Sequence, residues 1–384
     1  MNRRERMLAA LKHEIPDMVP CSPGLDYMKV IKMSKRPFWD FFMGSIASGP
    51  VGRDYSEYIE QYVKAYNYFN GSAILYHANP IIKQDDVRYE EKIIDKNSSR
   101  IITRTVMKTP EGDLWSETLY PVDGPPFPVR KFVKNFKEDF KFIKYFYPNL
   151  NEINFSPVYD AKNYLDDAGI IALTVSLPSL VDLDSYVDGG LGKLGLLYYD
   201  YPELIDEYKE IQENWTLEYT NKIIEAKCCD EIFIGASGLM TWQSPQIIRK
   251  LSLGTIQKIT KLCSSANLTS HLHCCGFEKV IVQLCHDETE LNVIEPLEVP
   301  PQGDCDLRDI KEKFGKKLVL KGNLHTSMMR FGSLKTIEDE TKKCIDDAAE
   351  GGGYILSTGD QIGRDTPDEN IFKLVEVCEK YGKY

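Results

Sequence analysis

The chain has 384 residues, and its 58 acidic and 47 basic side chains give a net charge of −11. Nucleic acids and anionic membranes both require a basic surface, so this balance excludes them as main partners. No apolar run approaches the ~20 residues of a membrane helix, and the charged start lacks the apolar core of a secretory leader; we therefore expect a cytoplasmic protein. There, its ten cysteines should be reduced thiols or metal ligands.

The N-terminal part begins with helical periodicity over residues 3–11, which predicts a helical extension ahead of the main fold. A short strand is expected at 18–21, beside two prolines. Residues 37–69 are helical in pattern and unusually aromatic, and 71–76 form a second apolar strand.

Residues 87–121 have a different character. Apolar and polar side chains alternate on both sides of a turn signal at 109–113. This pattern is typical of an antiparallel β-meander. We interpret it as an insertion because it is too small and polar to form its own core.

From residue 128 onward, predicted helices and strands alternate. A long helix is expected over 202–226 and another begins at Ser244-Pro245. The predicted strands are 169–175, 231–234, 268–273, 291–294, 318–320 and 354–356. Such alternation indicates an α/β fold with a parallel sheet, and a strand count near eight favours a (β/α)8 TIM barrel as a single domain over 1–384. A doubly wound sheet is the alternative.

The stretch around His273 carries the most distinctive chemistry. Alternation along a strand places His271, His273 and Cys275 on one face and Cys274 on the other. An imidazole beside a thiol suits zinc, but this pair is only half of a tetrahedral site. The alternative is structural: a buried thiol and a hydrogen-bonded core histidine.

Other polar or aromatic residues also follow predicted strands. In a barrel, the C-terminal strand ends converge on one mouth, where the chemistry takes place. The candidates at these ends are Met240, Trp242, Glu298, His325 and Asp360.

Several short motifs occur in a characteristic order along the chain. They are Arg4–Leu11 followed by 16–20, Thr109-Pro110-Glu111-Gly112, Ser244-Pro245, Lys321-Gly322-Asn323 and 366–370. In this order they resemble the uroporphyrinogen decarboxylase superfamily over nearly the full length. The resemblance implies a (β/α)8 barrel.

Two segments indicate which branch of that superfamily the chain resembles. Segment 22–28 lacks the arginine of the decarboxylating members, although a substrate with many carboxylates needs cationic partners. His273-Cys274-Cys275-Gly276 instead resembles the His-x-Cys-Gly motif of the corrinoid-dependent methyltransferases, among them the O-demethylase methyltransferases I. This resemblance implies zinc bound by His273 and Cys275.

The third ligand departs from that branch. A cysteine is usual after the last strand, and this sequence has Asp360 there. A carboxylate can ligate zinc, so we expect a His273, Cys275 and Asp360 site, with Glu298 and His325 as fallback ligands. Alternatively, Asp360 caps the following turn and no metal binds.

The resemblance implies transfer of a methyl group from a small methylated substrate to the Co(I) corrinoid (cobalamin) of a separate partner protein. A carboxylate ligand makes zinc harder and favours oxygen, so a phenyl methyl ether is the expected donor and O-demethylation the expected reaction. Tyr27, Met240 and Trp242 are candidate pocket residues for its ring, with Glu298 and His325 nearby; such residues are often ordinary core. The oligomeric state is open, a homodimer being one option.

Three other functions stay open from the sequence. The first is the opposite half-reaction, from methylcorrinoid to a thiol or folate. The second is a porphyrin-related decarboxylase. The third, from a different class, is a non-catalytic tetrapyrrole-binding barrel.

Overall fold

The computed structural model describes residues 1–43 and 55–384. The strands in these ranges are β1 (Ala73–Leu75), β2 (Ile81–Ile82), β3 (Arg88–Lys96), β4 (Arg100–Thr109), β5 (Gly112–Pro121), β6 (Phe127–Arg130), β7 (Ile153–Asn154), β8 (Gly169–Ser176), β9 (Glu231–Gly235), β10 (Thr269–His273), β11 (Val293–Glu295), β12 (Val319–Leu324) and β13 (Tyr354–Thr358).

The helices in the same ranges are α1 (Arg3–Leu11), α2 (Asp26–Ser34), α3 (Trp39–Phe42), α4 (Ser56–Phe69), α5 (Phe136–Asp139), α6 (Ser156–Leu165), α7 (Leu180–Asp184), α8 (Gly190–Asp200), α9 (Pro202–Ala226), α10 (Leu239–Trp242), α11 (Pro245–Ile248), α12 (Gly254–Ser265), α13 (Lys279–Glu288), α14 (Leu307–Phe314), α15 (Thr326–Phe331), α16 (Leu334–Ala348) and α17 (Asp368–Tyr381). None of these helices is both long and apolar enough to cross a membrane.

A curved parallel sheet forms the centre of the fold. Its seven strands lie in the order β1-β8-β9-β10-β11-β12-β13, with helices in the connections. Each neighbouring pair is parallel, as crossover helices require. This confirms the predicted α/β barrel of the TIM type.

The gap between β13 and β1 is bridged by the extended segment 20–22. Cys21 pairs in parallel with Leu356 of β13, and Ser72 N donates to Cys21 O at 2.7 Å next to β1. The predicted strand at 18–21 is therefore reduced to isolated bridges, because proline has no N–H to extend a ladder on either side of Cys21.

Helix α1 covers the N-terminal end of the barrel. Its buried residues Met7, Ala10 and Leu11 form one cluster with strand residues of the barrel interior. Asn2 begins the helix with a capping box, accepting from Glu5 N. The Arg4 guanidinium then donates to both carboxylate oxygens of Asp230, at 2.8 and 2.5 Å.

The meander predicted at 87–121 is present as an antiparallel sheet in the order β3-β4-β5-β6. Its last strand, β6, lies beyond the predicted range. Met107 and Leu114 are buried in a cluster that also contains Ile205 and Tyr208 of α9. The insertion thus shares its core with barrel helices.

Two predicted helices compare differently with the structure. The long helix is confirmed with the predicted bounds, Pro202–Ala226. In the stretch 37–69, which is helical in pattern, the described residues form α3 and α4, and residues 44–54 lie outside the described part of the chain.

Candidate metal centre and active-site cavity

Three potential ligands meet at the C-terminal ends of two barrel strands. His273 ends β10, Cys275 follows two residues later, and Asp360 lies two residues after β13. One ligand atom from each lies within 4.8 Å of the others, and all three residues are half-buried. Atoms that close can bind a single metal ion.

Glu295 orients the His273 ring. Strands β10 and β11 pair in parallel with His273 opposite Glu295. Their side chains therefore meet, and His273 Nδ1 lies 2.9 Å from Glu295 Oε1. This contact leaves Nε2 as the ring nitrogen for a metal.

The charges around His273 shift its titration. Burial alone would lower the pKa of His273, but hydrogen bonds to Cys275 and Glu295 and the charge of Asp360 raise it well above the usual range. Burial would raise the pKa of Glu295; the charges of Lys321 and His271 hold it well below its usual range. Ionised Glu295 is thus a strong hydrogen-bond acceptor for the ring.

Deeper in the barrel, His271 belongs to a polar network. It is fully buried, with Nδ1 3.0 Å from Glu231 Oε1 and Nε2 3.4 Å from Glu295 Oε2. Lys321 also donates to Glu295 Oε2. His271 and His273 both contact Glu295, so they share a face as predicted. Cys274 is buried in the main core instead.

Asp360 has an unusual backbone. Its φ is 138°, a conformation rare for a non-glycine residue. Gln361 N donates to Asp360 Oδ1 at 2.6 Å, which is the turn contact expected from the structural alternative. An oxygen of the same carboxylate lies within 4.8 Å of the potential ligand atoms of His273 and Cys275. The local contact therefore coexists with the cluster.

Next to these ligands is a cavity of about 440 Å³. His273, Asp360 and Tyr27 line it, and a substrate-binding role for Tyr27 stays a prediction. Its aromatic lining comprises Tyr27, Tyr55, Tyr62, Tyr66, Tyr76 and Phe233. A cavity of this size with six aromatic residues in its wall suits a small molecule with a ring.

The other predicted site residues lie at the mouth but outside this cavity lining. Glu298 Oε2 accepts from Gly276 N at 2.6 Å, next to Cys275, and burial raises the pKa of Glu298. His325 caps α15, accepting from Ser327 N at 3.0 Å. Met240 packs on the core, and Trp242 is 62% exposed. Their substrate-binding roles stay predictions.

Three residues that are not among the predicted site residues are part of the site: Asp26, His77 and Glu295. All line the cavity. His77 lies two residues after β1 and Glu295 ends β11, so each follows the strand-end rule that drew attention to His273. Their position at a strand end is therefore the sequence signal that could have identified His77 and Glu295.

The sequence profile described as "Uroporphyrinogen decarboxylase (URO-D)" matches residues 134–381, more than half of the chain. The chain belongs to the uroporphyrinogen decarboxylase (URO-D) family.

Individual URO-D relatives match over a short segment. A uroporphyrinogen decarboxylase of Wigglesworthia glossinidia brevipalpis is 31% identical over 78 residues, 20% of this chain and 21% of the relative. One from Actinobacillus pleuropneumoniae serotype 5b is 27% identical over 78 residues, 20% of this chain and 22% of the relative. The chain thus spans about a fifth of the length of the curated relatives it matches.

A solved structure extends the likeness over the whole chain. It is described as a methyltransferase from Methanosarcina mazei, with a TM-score of 0.63, 18% identity and coverage of 99% of both chains. At this identity the likeness shows the fold, and it agrees with the URO-D barrel described above.

Proposed function

We propose that this URO-D family member is a zinc-dependent methyltransferase that moves a methyl group from a small methylated compound to the Co(I) corrinoid of a partner protein. The observation that carries the proposal is the His273, Cys275 and Asp360 cluster beside an aromatic cavity at the barrel mouth. The fold shared with a Methanosarcina mazei methyltransferase supports it.

The donor set fits zinc. Zinc binds imidazole nitrogen, thiolate sulfur and carboxylate oxygen, and catalytic sites commonly have three protein ligands with a fourth position for substrate. His273 Nε2, Cys275 Sγ and an Asp360 oxygen would provide these ligands. Glu295 supplies the carboxylate partner that zinc-binding histidines usually have.

The third ligand favours an oxygen-bound donor. A carboxylate in place of a second thiolate makes the site harder, and harder sites prefer oxygen. Bound zinc would act as a Lewis acid that withdraws electrons from an ether oxygen. The tyrosine-rich cavity would hold the attached ring, so we infer a phenyl methyl ether as donor and O-demethylation as the reaction.

The cavity is poorly suited to a porphyrinogen substrate. Among the described residues that line it, the basic side chains are His77, His273 and Lys321. Lys321 donates to Glu295, which neutralises it. A substrate with many carboxylates needs several cationic partners, preferably arginines. This favours methyl transfer over decarboxylation.

The corrinoid would come on a separate protein. The cluster lies at the strand ends that form the barrel mouth, where a partner can approach from solvent. The ligand side chains are half-buried, so the acceptor must approach closely over the mouth. The cavity volume suits the small donor and not a macrocycle enclosed within the barrel.

The test mixes zinc-loaded protein with cob(I)alamin and phenyl methyl ethers, methylamines, methanol or methylated thiols, and follows methylcobalamin formation optically. We expect conversion with a phenyl methyl ether, lost in His273→Ala and Cys275→Ala. If a methyl group is transferred only from methylcobalamin to a thiol or folate, the protein catalyses the opposite half-reaction. If no donor or acceptor supports transfer, even with a cognate corrinoid protein, the proposal is wrong.

A further inference from the structure

Three side chains form a continuous hydrogen-bonded chain on the wall of the cavity. Tyr27 OH lies 2.9 Å from His77 Nδ1, and His77 Nε2 lies 3.0 Å from Asp26 Oδ1. All three residues line the same cavity as His273 and Asp360. A phenol, an imidazole and a carboxylate in this order can pass a proton along their length.

Several contacts hold the Asp26 carboxylate in place. Tyr58 OH donates to Asp26 Oδ1 at 3.2 Å, and Tyr27 N donates to the same oxygen at 2.8 Å. Asp26 has a φ of 30°, outside the usual range for a non-glycine residue. Burial would raise the pKa of Asp26, but its contacts with His77 lower it. A fixed, ionised carboxylate stabilises a protonated imidazole.

Hydrogen bonds connect the loop before Asp26 to the loop that carries Asp360. Gly24 N donates to Thr358 Oγ1 at 3.1 Å, and Thr358 Oγ1 donates to Asp360 O at 2.6 Å. Ile362 N donates to Gly24 O at 2.8 Å. The loop that carries Asp26 and Tyr27 and the loop that carries Asp360 are therefore positioned against each other.

Other tyrosines on the cavity wall use their hydroxyls differently. Tyr62 OH donates to Ile74 O and Tyr66 OH to Pro23 O, both at 2.6 Å. A backbone carbonyl has no proton with which to replace the one that such a hydroxyl would give up. Tyr27 differs because His77 lies behind it.

We propose that Tyr27, His77 and Asp26 form a proton relay that protonates the leaving oxygen of the methyl donor. This inference rests on the proposed function and adds a general acid to it. Bound zinc would polarise the ether oxygen, and the relay supplies the proton that the departing group requires. The aryloxide of an unactivated ether is a poor leaving group because, without a proton, it departs as an anion.

The bond between the methyl carbon and the ether oxygen breaks, and its electron pair stays on oxygen. The methyl group passes to the corrinoid cobalt, which supplies the electron pair of the new bond. Tyr27 OH gives its proton to the oxygen, and His77 Nδ1–H reprotonates Tyr27. His77 begins as imidazolium and ends neutral, with Nε2–H still bonded to Asp26; solvent then restores its proton.

The test uses ring-substituted phenyl methyl ethers whose phenols differ widely in acidity, with cob(I)alamin as acceptor and zinc-loaded protein. A general acid contributes about 10²- to 10⁴-fold, and only when the leaving group needs a proton. We expect Tyr27→Phe to lower kcat by about 100-fold or more for the unsubstituted ether. A nitro-substituted ether, whose phenolate leaves unaided, should lose less than about tenfold.

Two further variants make the result specific. Asp26→Asn should show the same dependence on leaving group in milder form, because it keeps the shape of the carboxylate without its charge. Tyr354→Phe is the control, because it removes a buried hydroxyl bonded to Gly322 O, outside the cavity. Its kcat should depend on the leaving group as in the wild type. Zinc content and thermal unfolding of each variant report whether the fold is kept.

The outcomes separate the two proposals. An equal loss with every ether in Tyr27→Phe, or no loss, would overturn the relay while leaving the methyltransferase intact. A kcat that depends more steeply on phenol acidity in Tyr27→Phe than in the wild type would support the relay. Wild-type protein that converts no ether would overturn both, since the relay has no oxygen to protonate.

Discussion

His273 Nδ1 lies 2.9 Å from Glu295 Oε1, a contact between directly opposed residues of two parallel strands. Because the pairing register fixes both backbones, the ring has little freedom to turn. The hydrogen bond uses Nδ1 and leaves Nε2 as the ring nitrogen that can act as a ligand beside Cys275 and Asp360. The metal centre proposed here therefore depends on a residue that contributes no ligand.

Glu295→Gln should weaken zinc binding. The amide keeps an oxygen for His273 but lacks the charge that strengthens the ligand and balances Lys321. Loss of such a partner typically lowers metal affinity 10- to 100-fold. Zinc titration against a chelator measures the effect. Glu288→Gln, which removes an exposed partner of Arg249, is the control, and equal affinities for both variants would contradict the role of Glu295.

Asp360 is expected to be a ligand and not only a turn residue. Asp360→Ala should lose most bound zinc, whereas Asp360→Cys should retain it because a thiolate is a good zinc ligand. In the cysteine variant the softer site should transfer methyl from ethers more slowly. Zinc content and ether kinetics test both points. Asp360→Ala with full zinc occupancy would leave Asp360 as the cap of its turn.

Gly24→Ala should displace the Asp360 loop. A Cβ at this position would lie 2.7 Å from Thr358 Oγ1 and 2.8 Å from Asp360 O, closer than real contacts allow. Such overpacking costs about 1–3 kcal/mol in free energy of unfolding, and zinc affinity should fall with it. Gly363→Ala, where a Cβ meets no atom within 4 Å, is the matched control. Calorimetry and zinc titration measure the unfolding free energy and the zinc affinity of both variants. Equal values for Gly24→Ala and Gly363→Ala would contradict the close packing of Gly24 against the Asp360 loop.

Asp182 should make stability depend on pH. Burial raises the pKa of Asp182 to about 6, although Tyr208, Gln212 and Tyr147 donate hydrogen bonds to it. The native state then holds a proton that the unfolded chain releases near pH 4. The protonated Asp182 carboxyl therefore contributes at most about 3 kcal/mol to the free energy of unfolding. This contribution is fully present below pH 4 and is lost as the pH rises through 6.

Asp182→Asn has no proton to lose at this position. Its free energy of unfolding, relative to wild type, should therefore rise between pH 4 and pH 7. Urea unfolding at several pH values measures the difference. The exposed Asp200→Asn is the control, and wild-type and Asp182→Asn stabilities that run parallel across this range would contradict the assignment.

Features that depend on local periodicity can be predicted from the amino-acid sequence alone. Helix Pro202–Ala226 was predicted with its bounds because its start and apolar spacing are local. Alternating helices and strands indicated the barrel, since each crossover requires a parallel neighbour. The shared face of His271 and His273 followed from the two-residue repeat of a strand.

Contacts between residues that are distant in the sequence could not be predicted, because they depend on the folded arrangement of the strands. His77 is 50 positions from Tyr27, and Thr358 is 334 positions from Gly24, yet both pairs are in hydrogen-bond contact. Those contacts follow from closure of the barrel at segment 20–22, which places β13 beside the start of the chain. Glu295 became visible as a partner of His273 only through strand register. Local patterns specify which face a side chain occupies, but closure and register determine its neighbours.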